Sequence, residues 1–267
     1  MNEVLEKRVK AFVKIEKKEK FNPKHYDFIK IKNKKIIFNR GDHIIKRKIF
    51  FPSGYEILVL DSTKINLIGS GEIISESPII CLGSEKNPIF FTSLDSSSSG
   101  ILIFNAKKLS KLEYCNFSFF NTGSGLYDFK TGAVTFYESN VLIKNYFFKN
   151  IFNEDAVNII RSKFEISNSY FSDNSHDCID TDFSTGSIKN SKFLRVGNDA
   201  LDFSGSNIII DSISISNTRD KAISIGESSI VSGNEIFIDN SNFGIVSKDL
   251  SESFFSNINI QNTNLAL

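Results

Sequence analysis

The stretches DCIDTDFSTGSIKNSKFLRVGN (residues 177–198) and DALDFSGSNIIIDSISISNTRD (residues 199–220) carry one pattern twice. They belong to an array, Thr131–Asn264, in which a unit of 22 or 23 residues recurs. A serine marks each unit: Ser139, Ser162, Ser184, Ser206, Ser228 and Ser251. Nine residues later comes a core-type residue: Phe148, Phe171, Phe193, Ile215, Phe237 and Ile260. Columns that agree over so many units identify a repeat protein.

The period and the alternation within each unit predict β structure. A unit of 22 or 23 residues is too short for the helix-pair repeats, which need about 33 residues or more. In Ala200–Ser204 the apolar Leu201 and Phe203 alternate with the polar Asp202 and Ser204, which is the period of a strand. Three such strands in each unit make one turn of a parallel β-helix, in which equivalent residues of successive coils stack in columns. We therefore predict an all-β fold.

A further column supports a particular family. Six residues after each serine lies a turn-type residue, usually asparagine: Asn145, Asn168, Asn190, Ser212, Asn234 and Asn257. This column is similar to the asparagine ladder of the right-handed parallel β-helix, or pectin-lyase-like, superfamily. The chain resembles that superfamily over residues 41–267. The resemblance implies a right-handed solenoid, and the crossover chirality of parallel strands favours the same hand.

The N-terminal region, residues 1–40, has a different composition. Residues 1–50 hold 16 Lys/Arg and six Asp/Glu, so the rest of the chain is acidic although the total charge is +1. Residues 1–20 carry a helical apolar stripe that includes Val9 and Phe12 among lysines. We predict a short α-helix that caps the first coil; the alternative is a basic helix on an anionic membrane or polymer.

The remaining composition bounds partners and location. We find no stretch fit for a signal peptide or a membrane span. The compartment is therefore unknown, and an extracellular or cell-surface location stays open if the start is truncated. The acidic solenoid lacks a basic, aromatic-lined groove, so we expect no nucleic-acid partner. The array stops within a coil at Asn264–Leu267, and we expect a partner or a missing coil to cover that end.

Any chemistry is predicted on the first strand of each unit. Carboxylates there lie in adjacent coils, about 5 Å apart, and their repulsion raises a pKa unless a cation intervenes. One column contains Asp155, Asp177 and Asp199 and continues as Lys221; the outward side carries Asp180, Asp182 and Asp202. Three arrangements relieve the repulsion: a shared proton, salt bridges from lysine or arginine, or a Ca²⁺ ion bound by Asp180, Asp182 and Asp202. No cofactor is required.

Part of this region resembles the polygalacturonase-like glycoside hydrolases. The resemblance rests on Asp177, Asp199 and Lys248, which match the family motifs. It implies an acid and a base in Asp177 and Asp199, with Asp202 beside them. Independently of the resemblance, Lys221 and Lys248 are candidates to pair a substrate carboxylate. The sequence departs from the motifs at three positions: Asn198, Lys221 and Val246.

Two hypotheses of function follow. In the first, the chain is a carbohydrate-active hydrolase, lyase or epimerase that acts on a uronate-rich polysaccharide. In the second, it is a non-catalytic β-helix module that binds a polysaccharide or is displayed on one. The aspartates recur as regularly as the serines, which is typical of stacking, and three motif positions are altered. Both observations favour the second hypothesis.

Overall fold

The chain forms an all-β solenoid. We describe a computed structural model of residues 21–121 and 130–267, in which the chain makes about ten turns of roughly 22 residues each. The parallel β-helix architecture predicted from the repeat is confirmed. The predicted N-terminal helix falls in residues 1–20, which lie outside the described residues.

In residues 21–121 and 130–267 the regular elements are one short 3₁₀ helix, Pro23–His25, and a series of strands. The strands of the first half are β1 (Ile29–Lys32), β2 (Lys35–Phe38), β3 (Gly41–Ile45), β4 (Ile49–Phe51), β5 (Glu56–Leu60), β6 (Thr63–Leu67), β7 (Ile73–Ser75), β8 (Ile79–Leu82), β9 (Ile89–Thr92), β10 (Ile101–Phe104), β11 (Ser110–Glu113) and β12 (Cys115–Ser118). The strands of the second half are β13 (Gly132–Tyr137), β14 (Val141–Lys144), β15 (Phe147–Lys149), β16 (Asp155–Ile160), β17 (Lys163–Ser167), β18 (Tyr170–Asn174), β19 (Asp177–Asp182), β20 (Thr185–Val196), β21 (Leu201–Ser204), β22 (Asn207–Gly226), β23 (Ile230–Ser247) and β24 (Glu252–Gln261).

Each coil contributes one strand to each of three parallel sheets. The first sheet contains β4, β7, β10, β13, β16, β19 and β21; the second begins β2, β5, β8; the third begins β3, β6, β9. The long strands β20, β22 and β23 turn corners and so contribute to more than one sheet. At the N-terminal end β1 pairs antiparallel with β2, and this hairpin covers the edge of the first coil. Parallel pairing therefore begins at Lys35, ahead of residue 41.

Residues in the left-handed backbone region turn the chain at the corners. Between the second and third sheets these include Asn145, Asn168 and Asn190, with φ of 58°, 52° and 48°. Asparagine tolerates this conformation better than most residues, which explains the predicted column. A ladder bond joins two of its members, because the Asn168 side-chain amide donates to Asn145 Oδ1 at 3.3 Å.

Stacked aromatic rings fill the bore. Phe117, Phe148, Phe171 and Phe193 lie one above another, with ring centroids 4.9–5.0 Å apart and interplanar angles of 3–12°. All four rings are almost fully buried. This spacing equals the distance between hydrogen-bonded strands, so the rings follow directly from the repeat. The predicted core column is confirmed for Phe148, Phe171 and Phe193.

The serine column forms a hydrogen-bond ladder. The backbone amide of Ser139 donates to Ser162 Oγ at 2.8 Å, and Ser162 repeats this with Ser184 at 3.1 Å. The ladder continues through Ser206 to Ser229, whose Oγ accepts from the Ser206 amide at 3.0 Å. The prediction of Ser228 at this position is wrong. Glu227 and Ser228 both adopt left-handed φ, of 54° and 62°, and the corner thereby takes in one extra residue.

The same extra residue shifts other predicted positions. Ile238, not Phe237, continues the core column beside Ile215. The predicted asparagine column is also displaced, because Glu235 takes the corner instead of Asn234. A register shift before Lys221 restores the original spacing in the first sheet. Val246 consequently pairs with Ser224, and Lys248 follows one residue beyond the paired Ser247.

Candidate functional site

The predicted carboxylates begin the strands of the first sheet. Asp155 pairs with Asp177 between β16 and β19. The backbone amide of Asp199 donates to Asp177 Oδ1 at 2.7 Å, and the Lys221 amide donates to Asp199 Oδ1 at 2.9 Å. We call Asp155, Asp177 and Asp199 the aspartate row. Asp177 and Asp199 each accept a hydrogen bond from the next coil, as the stacked serines do.

Lys221 closes the aspartate row. Its ammonium lies 3.3 Å from both carboxylate oxygens of Asp199 and also bonds Asp220. Burial works to lower the pKa of Lys221, but the two carboxylates outweigh it and the pKa is raised. Burial raises the pKa of Asp199, an effect that the Lys221 amide and ammonium partly offset. Lys221 is therefore a counter-ion to two carboxylates of its own chain.

The other two members of the row are strongly perturbed. Burial, followed by the charge of Asp199, raises the pKa of Asp177 from 3.8 to about 7, although the Asp199 amide opposes this. Burial also raises the pKa of Asp155 well above its ordinary value. Asp155 is 2% exposed, and its Oδ2 accepts no hydrogen bond from a residue that the structure describes. Burial therefore favours the protonated forms of Asp155 and Asp177 more than would be the case for an exposed aspartate.

The outward aspartates, Asp180, Asp182 and Asp202, lie on the neighbouring positions. Asp180 pairs with Asp202 in the sheet register, and the Asn158 side-chain amide donates to Asp180 Oδ2 at 2.8 Å. Burial and the surrounding carboxylates raise the pKa of Asp180 well above its ordinary value. Burial raises that of Asp182 to about 6. Within residues 21–121 and 130–267, no three His, Cys, Asp or Glu side chains are grouped so as to hold a metal. Calcium binding stays a prediction.

Lys248 lies apart from the aspartate row. It is exposed at the corner after the last long first-sheet strand, and its Cε lies 3.1 Å from where a Gly226 side chain would begin. In the described part of the chain its side chain makes no hydrogen bond or ion pair with Asp177 or Asp199. The structure thus brings Asp177, Asp199 and Lys221 together, while Lys248 faces solvent.

The raised pKa of Asp177 predicts a pH dependence of stability. The folded chain binds this proton more tightly than the unfolded chain, so the stabilisation is complete below about pH 4 and is lost as the pH rises through about 7. Asp177→Asn keeps an oxygen for the Asp199 amide but cannot ionise. We expect it to match the wild type at pH 4 and to exceed its free energy of unfolding by about 2 kcal/mol at pH 8.

Urea denaturation at pH 4, 6 and 8 measures this difference. Asp42→Asn is the control, because the Asp42 side chain is 74% exposed, and we expect its pH profile to follow the wild type. Parallel profiles for Asp177→Asn and the wild type would show that Asp177 ionises at its ordinary pKa in the folded protein.

A groove beside the aspartate row was not predicted from the sequence. It follows the turn from the third sheet to the first and has a volume of about 810 Å³. Its lining includes Asp173, Arg195, Asn217, Asn240 and Asn262, which occupy equivalent positions in five successive coils. The 22- or 23-residue spacing of these polar residues was the signal in the sequence. Only the coil geometry shows that they form one surface.

Comparison with known proteins assigns no family. No protein-family model matches the sequence, and no curated protein matches it. Within the part of the chain that the structure describes, no helix has the length and hydrophobicity of a transmembrane span. The fold defines the class of the protein: a parallel β-solenoid with stacked rows of serine, asparagine and aspartate.

Proposed function

We propose that this chain is a non-catalytic β-solenoid module. It binds a polysaccharide, or is displayed on one, and does not catalyse its turnover. The observation that supports this most directly is the pairing of the two candidate catalytic carboxylates. Asp177 Oδ1 accepts the Asp199 amide, and both oxygens of Asp199 lie within 3.3 Å of the Lys221 ammonium. Carboxylates bonded in this way stabilise the stacking of coils.

The spacing of the row also argues against an inverting hydrolase. Successive coils of a parallel sheet are roughly 4.8 Å apart. Inverting glycosidases hold their two carboxyl groups about 6.5–9.5 Å apart, because a water molecule must fit between the base and the sugar. At the coil spacing, neighbouring members of the aspartate row lie closer together than that.

The partner is proposed to be a polysaccharide because the polar side chains on the solenoid surface form rows that run from coil to coil. Rows of amide and hydroxyl groups that recur at the coil spacing match a polymer whose hydroxyl groups also recur along its length. The acidic balance after residue 50 disfavours nucleic acid, since phosphate contacts need clustered cations.

A protein partner is also proposed, on the exposed face of β24. The last described strand, β24, is exposed along most of its length, and Phe254, Ile258 and Leu265 are 59%, 37% and 52% exposed. Exposed apolar residues beside an unpaired strand edge favour association.

One experiment tests binding and turnover together. Wild-type protein is run through gels that contain a panel of polyuronates and neutral polysaccharides, and parallel reactions with and without Ca²⁺ are scored for reducing ends and unsaturated products. We expect retarded migration on at least one polysaccharide and no products. Products that disappear in both Asp177→Asn and Asp199→Asn, with an unchanged β-sheet circular dichroism spectrum, would instead establish an enzyme.

That second candidate, a carbohydrate-active enzyme, is favoured by one observation. A carboxyl group with a pKa of about 7, as at Asp177, exists in both protonation states at neutral pH, and its protonated form can act as a general acid. Asp199 would then serve as the second carboxylate. The coil spacing is near the separation of about 5–5.5 Å found in retaining glycosidases.

A further inference from the structure

The groove between the third and first sheets consists of two parallel rows of side chains. The corner row comprises Asp173, Arg195, Asn217, Asn240 and Asn262, all with left-handed φ between 52° and 60°. The second row lies two residues further on in each coil and includes Arg219, Asn242 and Asn264. Four coil spacings of about 4.8 Å give the groove a length of roughly 19 Å. It is therefore long enough for a linear ligand that lies along the solenoid axis.

The asparagines of the groove retain hydrogen-bonding capacity. Asn240 donates to Asn217 Oδ1 at 2.6 Å, and Asn264 donates to Asn242 Oδ1 at 2.8 Å. A primary amide has two N–H donors and an oxygen that accepts twice, so each ladder bond uses only part of this capacity. Asn217, Asn240, Asn262 and Asn264 are exposed. Their remaining donors and acceptors recur at the coil spacing and face solvent.

Among the described residues, the two arginines of the groove differ in their carboxylate partners. Arg195 is held by two hydrogen bonds to Asp173, at 2.5 and 2.9 Å. Arg219, one coil further on, is exposed and makes no ion pair with a residue in the described part of the chain. A guanidinium binds a carboxylate through two parallel N–H donors, which gives such a pair both strength and direction.

We propose that this groove binds a linear glycan that carries carboxylates. The amides of Asn217 and Asn240 pair with sugar hydroxyl groups, and Arg219 pairs with a carboxylate of the glycan. This inference rests on the proposed function, since it places the polysaccharide site of the module. The second row of the groove lies two residues before the aspartate row in each coil, so both surfaces lie along the corner from the third sheet to the first. The substitutions below leave Asp155, Asp177 and Asp199 unchanged, so they report on the groove.

Glycine substitutions test the amides without disturbing the corner. Glycine adopts left-handed φ readily, so Asn217→Gly with Asn240→Gly removes two amides and retains the backbone. The matched control is Asn145→Gly with Asn168→Gly, which also removes two left-handed asparagines joined by one ladder bond. Titration with a polyuronate should show affinity about tenfold weaker for the groove pair and within twofold of wild type for the control.

Arg219→Gln tests the proposed pairing of Arg219 with a carboxylate of the glycan. The probes are a polyuronate and the same polymer after chemical reduction of its carboxyl groups. We expect wild type to prefer the polyuronate and the preference to fall about tenfold in Arg219→Gln, with a weaker salt dependence. Arg219 is exposed and is not a corner residue, so this variant should fold even if the glycine pair does not.

The outcomes separate this inference from the proposed function. If wild type binds no polysaccharide, the proposed function fails and the groove assignment fails with it. If wild type binds and the groove variants bind equally well, the module stands and the groove is overturned as its site. Equal affinity of wild type for both polymers, unchanged in Arg219→Gln, would overturn the choice of a carboxylate-bearing glycan.

Discussion

Phe171→Ala is expected to lower the free energy of unfolding by about 4 kcal/mol. The Phe171 ring is fully buried and stacks on Phe148 and Phe193, with centroids 4.9 Å away on both sides. Its removal leaves a ring-sized cavity between two coils whose spacing is held by backbone hydrogen bonds, so the walls cannot close. Because each coil contacts only its neighbours, the loss falls on two interfaces at once.

Urea denaturation followed by circular dichroism at 218 nm measures the loss. Phe254→Ala is the control, because Phe254 is 59% exposed on β24, and we expect a loss of about 0.5 kcal/mol or less. Similar losses in the two variants would mean that the stacked rings contribute no more than surface aromatic residues.

Gly197→Ala is expected to destabilise the protein by about 3 kcal/mol or more. A Cβ at this position would lie 1.9 Å from the backbone oxygen of Ser175 and 2.4 Å from its carbonyl carbon. Both atoms belong to the preceding coil and cannot rotate away. The two coils would have to separate, which weakens the hydrogen bond that the Gly197 amide donates to the Asn174 oxygen at 2.9 Å.

Gly226→Ala separates this steric effect from the general effect of removing a glycine. The nearest atom to a Cβ at Gly226 is Lys248 Cε at 3.1 Å, the far end of an exposed side chain that can move. We expect a change within about 0.5 kcal/mol. The denaturation midpoints of the two variants measure this difference. A Gly197→Ala protein as stable as Gly226→Ala would contradict the close contact of the two coils.

Gly197 lines the groove two residues before Asp199 of the aspartate row. Phe171 is buried two residues before Asp173 of the groove. Both substitutions therefore report on what holds these surfaces. The groove exists only while five coils stay in register, and the row depends on amides one coil away. A solenoid that loses one interface can lose the function of both surfaces while most strands remain paired.

The pairing of the aspartates could be predicted only in part. The sequence places Asp155, Asp177 and Asp199 in one column, because the repeat assigns them equivalent positions. It cannot show that Asp177 and Asp199 accept amides from the next coil or that Lys221 contacts both oxygens of Asp199. Those contacts, and the pKa of about 7 at Asp177, depend on burial and on distances between coils.

The sequence by itself determined the repeat, the all-β class, the core column through Phe193 and the asparagine corners, because these depend on local period and backbone preference. The tertiary structure decided the register after residue 226. There an extra residue at Glu227 and Ser228 is taken up by two left-handed φ values and makes Ser229 the ladder residue. It also decided the groove, because Asn217 and Asn240 become neighbours only when their coils stack.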